Sequence, residues 1–104
     1  MSTIEILCVD DSNRPEDIPI THWVKHGEVY TLKDVKSLLM QGGHLGLQVD
    51  EINLLELGNQ YEFFGLYRFS IQEKDIQAFK DVIIASYKAD KISSDDLNKL
   101  FNIN

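Results

Sequence analysis

The sequence predicts an α+β domain, with a β-rich first two-thirds followed by a helical tail. Two observations carry this. Short apolar, β-branched runs bounded by Gly, Asp and Asn recur through residues 4–69, whereas after Ser70 the apolar residues fall at helical spacing. At 104 residues and 43% hydrophobic, the chain has material for one buried core. A single domain over 1–104 is expected, with its β part at 1–69 and an extension of one or two helices at 70–104.

Ile4-Glu5-Ile6-Leu7-Cys8-Val9 is apolar and stops at Asp10-Asp11-Ser12-Asn13, the pattern of a buried strand ended by turn formers. From there to about His26 the chain holds Pro15, Pro19, several acids and little periodicity, which predicts a long ordered loop. Such a loop needs its own packing, and Ile18, Ile20 and Trp23 are the expected anchors. After a turn at Gly27-Glu28, residues 29–40 read as a strand, with a short helix over 32–40 as the competing assignment.

Gly42-Gly43 has the composition of a tight hairpin turn, because both central positions of a type I′ turn need positive φ. That turn sets Met40 opposite Leu45 and Leu38 opposite Leu47, leaving Val29 and Val35 on the other face unless a bulge near Lys36-Ser37 restores them. Leu45–Val49 is the return strand. Ile52, Leu54, Leu55 and Leu57 lead to a loop at Gly58-Asn59, and 63–69 reads as the last strand, with Gly65 marking a bulge or a close backbone approach.

Ser70 and Glu73 have capping-box spacing. Ile76, Phe79, Ile83 and Tyr87 then recur as the apolar stripe of an amphipathic helix of about four turns. Ser93 and Asp96 repeat the capping spacing ahead of Leu97, Leu100 and Phe101, which predicts a second, short helix.

A short strand, a long proline-containing loop, two strands joined by a tight turn and a final strand is the element order of a small SH3-like β-barrel. The run Cys8-Val9-Asp10-Asp11-Ser12-Asn13-Arg14-Pro15, then Ile18-Pro19, Trp23-Val24-Lys25 and Gly27-Glu28-Val29-Tyr30-Thr31, resembles small uncharacterised proteins of bacteria and their bacteriophages. Tyr67-Arg68-Phe69 is similar to the close of the same pattern. The resemblance covers about residues 4–69 and implies a small SH3-like barrel followed by the helical extension, but no activity.

Charge narrows the function. Residues 1–69 hold eleven acids against five bases, whereas the tail from Ser70 is close to neutral. A surface of that sign repels phosphates, so direct nucleic-acid binding is not expected. Nowhere do eighteen apolar residues run together, and no membrane segment is expected. The single cysteine, Cys8, excludes an intramolecular disulfide. A reducing cytoplasm is the expected location, that of the host if a phage encodes the chain.

No Gly-rich phosphate loop, Ser-centred elbow or helix-borne metal pair is present, so neither catalysis nor a cofactor is expected. His22 and His26 would share a metal with His44 only if 22–26 were helical, and Pro19 and Gly27 argue against that. Asp10, Asp11, Asn13, Glu16 and Asp17 lack the glycine and final glutamate of a calcium loop and read as turn formers. Cys8, in a strand, has poor access for a nucleophile.

The aromatics are the better lead. In SH3-like barrels the groove between the long loop and neighbouring strands binds peptides through aromatics with acids beside them. Trp23, Tyr30 and Tyr67 with Asp10, Asp11, Glu16 and Asp17 are the candidate binding residues. They predict a non-enzymatic interaction module that engages a basic or proline-rich segment of a protein partner. Two alternatives stand beside it: a phage inhibitor that blocks a host nuclease or defence protein as an acidic mimic of nucleic acid, and a small-ligand or nucleotide binder. The oligomeric state is open, since the tail's apolar stripe fits the barrel or a second copy equally.

Overall fold

A computed structural model describes residues 3–38, 44–58, 61–95 and 97. The chain forms β1 (Glu5–Cys8), β2 (Val29–Leu38), β3 (His44–Val49), β4 (Phe64–Gly65), β5 (Phe69–Ile71) and α1 (Ile76–Lys88). Single 3-10 turns lie at Ile20–His22, Leu54–Leu57, Leu66–Arg68 and Glu73–Asp75. The strands make one antiparallel five-stranded sheet in the order β4-β3-β2-β1-β5.

The sheet is open but strongly curved, and chain connectivity explains why. Its two edge strands, β4 and β5, are joined by the three-residue turn Leu66–Arg68. Laid flat, five strands with four gaps would put the edges about 19 Å apart. A 3-10 turn of this length advances only about 8 Å. The sheet must therefore curl until its edges nearly meet, although β4 and β5 do not pair with each other.

β2 makes the curl possible. Its first residues, Val29 to Thr31, pair with β1, and its later residues pair with β3, with a register irregularity between Leu32 and Asp34. Tyr30 and Val35 are both buried although five residues apart, which a regular strand would place on opposite faces. One extra residue at Lys33 reverses the parity. Residues 32–38 are thus strand, not helix, and the bulge sits upstream of Lys36-Ser37.

The β2–β3 register also departs from a two-residue turn. Leu38 pairs with His44, Ser37 with Leu45 and Val35 with Leu47, so five residues, 39–43, join the strands. Met40 and the Gly42-Gly43 turn lie outside the described residues. β3 alternates cleanly, with Leu45, Leu47 and Val49 facing the core.

Further differences have local causes. The last strand is broken in two because residues 66–68 turn. Ser70 pairs with Leu7 in β5 and cannot cap a helix; Gln72 precedes the turn leading into α1 with no side-chain cap. Gly65 does mark a close approach, since a Cβ there would lie 2.5 Å from the Tyr67 ring.

One continuous core joins the sheet to the tail. Ile6, Cys8, Ile18, Val24, Val35, Leu47, Phe64 and Phe69 pack with Phe79 and Ile83 of α1 and with Ile92 beyond it. Ile76 and Tyr87 lie at the half-exposed margins of the helical stripe. The chain after α1 returns to β2. Ser37 N–H donates to Lys91 O (3.0 Å), Ser93 N–H to Ser37 Oγ (3.0 Å), and Lys91 Nζ meets Asp34 (2.8 Å). A helical turn begins at 94–95, where Leu97 N–H bonds Ser93 O; Asp96 and 98–104 lie outside the described residues.

The tail is therefore expected to stabilise the β part directly. Ile83→Ala, at a side chain 1% exposed, should cost about 2–4 kcal/mol, whereas Ile84→Ala, 38% exposed, should cost under about 1. Urea denaturation of both variants measures this, and equal costs would contradict the placement of α1.

Candidate functional site

The loop between β1 and β2 is shaped by backbone groups that have no strand partner. Asp10 accepts from Ser12 N–H (2.9 Å) and from the Ser12 hydroxyl, and Asn13 follows in the left-handed region (φ 61°). Asp11 accepts from His26 N–H (3.0 Å) through its carboxylate and from Trp23 Nε1–H (2.7 Å) through its carbonyl. Ile18, Trp23 and Val24 are buried and anchor the loop, but Ile20 is 64% exposed and does not. The segment is ordered by its own acids, as turn formers would order it.

Arg68 fastens this loop from the opposite end of the sequence. Its side chain is buried, the residue being 7% exposed, because the Leu66–Arg68 turn rotates it inward. Nη1 donates to Ser12 O (2.7 Å) and Asp10 O (3.3 Å), and lies 3.7 Å from the Asp10 carboxylate. The Arg68 carbonyl accepts from Val9 N–H (2.7 Å) and Asp10 N–H (3.2 Å). The guanidinium also sits over two rings, 4.7 Å from the centroid of Trp23 and 4.9 Å from that of Tyr67. A desolvated cation on a ring face is worth about 2 kcal/mol, which adds to the carbonyl bonds and the Asp10 carboxylate in offsetting the burial of this charge.

Above the stacked cation lies a groove of about 120 Å³ between the loop and the chain leading into β4. Pro15, Trp23, Tyr61, Phe63, Tyr67 and Arg68 are among the residues that line it. Trp23 is held edge-on to Phe64 at 5.4 Å, so its orientation is fixed from below. Tyr67 is 61% exposed and stands at the rim. Lys36 Nζ lies 5.9 Å from the Phe63 ring centroid.

Of the residues expected to form the site, Trp23 and Tyr67 line the groove. Tyr30 does not: it is 7% exposed, packs edge-on to Phe69 at 6.5 Å, and its hydroxyl accepts from Lys25 N–H (2.8 Å). Burial raises its pKa. The carboxylates of Asp10 and Asp11 serve the loop backbone, while Glu16 and Asp17 are exposed next to Pro15. Arg68, Pro15, Tyr61 and Phe63 were not anticipated.

Other candidate chemistry has structural employment. His22 Nε2 contacts Glu56 and Nδ1 faces Thr21 Oγ1 (3.1 Å), a pairing that ties the 20–22 turn to the 54–57 turn. Among the described residues no three His, Cys, Asp or Glu side chains gather as a metal set. Cys8 lies inside β1 opposite Phe69, and burial pushes its thiol pKa up, the reverse of an activated nucleophile. No helix among the described residues is long and apolar enough to cross a membrane. The chain matches no family model, no curated protein and no solved structure.

Hydrogen bonds from Ser12, reinforced by Arg68, hold the Asp10 pKa below the ordinary carboxylate value. A depressed folded pKa stabilises the fold fully above about pH 4 and is lost as pH falls through the folded value. Asp10→Asn should therefore lower the urea midpoint at neutral pH, with the gap to wild type shrinking toward zero in strong acid. A gap that persists or widens in acid would contradict the pairing.

Proposed function

We propose that the chain is a non-enzymatic interaction module of SH3-like architecture whose aromatic groove receives an extended segment of a protein partner. The strand order, the shared bent strand β2, the long loop after β1 and the 3-10 turn between the edge strands support the SH3-like reading. The observation that carries the function is the groove itself, which exposed Tyr67 lines together with Pro15, Trp23, Tyr61 and Phe63. Rigid aromatic walls that leave a shallow channel suit a chain whose own shape is extended, because little entropy is lost on docking. The partner segment is basic or proline-rich.

The inhibitor reading requires acids arrayed outward as phosphates would be. Asp10 and Asp11 are instead bonded to their own loop, which favours the groove. The small-ligand reading has the same groove available to it, but about 120 Å³ is well below the usual 300–1,000 Å³ of ligand pockets.

Fluorescence polarisation with proline-rich and lysine-rich peptides, blocked at both ends, tests the proposal. One class should bind, and Tyr67→Ala should weaken it by about 2 kcal/mol, roughly thirtyfold, at a temperature where the variant is folded; loss of the ring beside Arg68 should also lower its melting temperature. Gly65→Ala should weaken it too, since the new methyl displaces the Tyr67 ring. Binding by neither class, or binding indifferent to Tyr67, would remove the reading.

A further inference from the structure

We infer that His22 and Glu56 are positioning residues of the groove: their contact sets how the two chain segments that line it stand to each other, and so prepares it for a partner. The inference rests on the groove reading above and deepens it. The lining residues come from two stretches far apart in sequence. Pro15, Ile18 and Trp23 belong to the loop after β1, and Leu54 with residues of 61–68 to the chain after β3. His22 adjoins Trp23 in the first stretch, and Glu56 lies two residues beyond Leu54 in the second. Their contact, across 34 positions of sequence, therefore joins one stretch to the other next to residues that line the groove.

Each turn has few anchors of its own. The 20–22 turn has no buried residue and no side-chain cap, and Leu54 is the one buried residue of the 54–57 turn. Both lie outside the strand ladders. Phe64 and Arg68 already meet the Trp23 ring, so the first stretch is held at 64–68; the His22–Glu56 contact holds it at 54–57 as well. The imidazole suits this task because both of its nitrogens are used. A carboxylate only accepts, so Nε2–H donates to Glu56, and Nδ1 of the neutral ring accepts from the Thr21 hydroxyl (3.1 Å). That pair of bonds excludes the flipped ring. Fixing the two stretches before a partner arrives removes an ordering cost from binding. The two side chains are 23% and 57% exposed, so replacing them leaves the core closed.

The test is a double-mutant cycle on the full chain at neutral pH. Wild type, His22→Ala, Glu56→Ala, the double variant and Glu56→Gln are titrated against labelled, blocked deca-lysine and deca-proline, at a temperature where melting curves show every variant folded. Each Ala variant should bind whichever peptide the wild type binds about threefold to fivefold more weakly, and the double variant no more weakly than either single one. Glu56→Gln keeps an acceptor for Nε2–H and should bind within about twofold of wild type. Coupling that shows in the affinity of folded chains is what support of the fold alone would not produce. Ala variants that bind as wild type does, losses that add in the double variant, or a Gln variant as weak as Glu56→Ala would overturn the positioning role while sparing the groove. Binding of neither peptide by the wild type would remove both the assignment and the reading beneath it.

Discussion

A buried guanidinium with its charge spread over two carbonyls, one carboxylate and two aromatic faces is the constraint on which the loop and the groove depend. Arg68 sits in the turn where the two edges of the sheet come together, and from there it reaches the carbonyls that end β1. A cation in this position without partners would be costly to bury. With them, it fixes the loop to the sheet and leaves the Trp23 and Tyr67 rings facing an open channel. Loop order and groove shape are therefore two results of one placement.

The acidic half of the molecule takes its character from the same economy. Asp10 and Asp11 stand in a segment with no ladder to satisfy its backbone, and their side chains supply the missing acceptors to Ser12 and His26. Glu51 does likewise near the start of β2: although burial opposes ionisation, bonds from Thr31 N–H (2.8 Å) and Oγ1–H (2.7 Å) hold its pKa down. These carboxylates are structural acceptors first.

Much of the fold was legible because its signals are local. The β1 run, the loop acids, the return strand and the stripe through Phe79 and Ile83 each announce themselves within a few residues. Register was not legible. It depends on parity, and a single extra residue at Lys33 reverses which side chains of β2 face inward, while nothing in Leu32-Lys33-Asp34 distinguishes a bulge from a regular strand. Ser70-x-x-Glu73 failed as a cap because pairing with β1 claimed Ser70 first. The site was half legible. Trp23 and Tyr67, aromatics in a polar neighbourhood, line the groove, whereas Tyr30 is buried, and exposure cannot be read from residue type. Arg68, between Tyr67 and Phe69, reads as an outward residue on an alternating strand. The available clue was electrostatic, an arginine among five bases in a half with eleven acids.

β1 lies between β2, which follows it in the chain, and β5, which comes from the far side of the sequence. The carbonyls of Asp10 and Ser12 likewise wait for a donor 58 and 56 positions later. During synthesis the first strand consequently emerges with one flank bare, and it keeps that flank until the ribosome has released Ile71. An unpaired strand flank is adhesive toward other chains. The nascent polypeptide is thus exposed to misassociation through β1, and the arrival of β5 ends that interval.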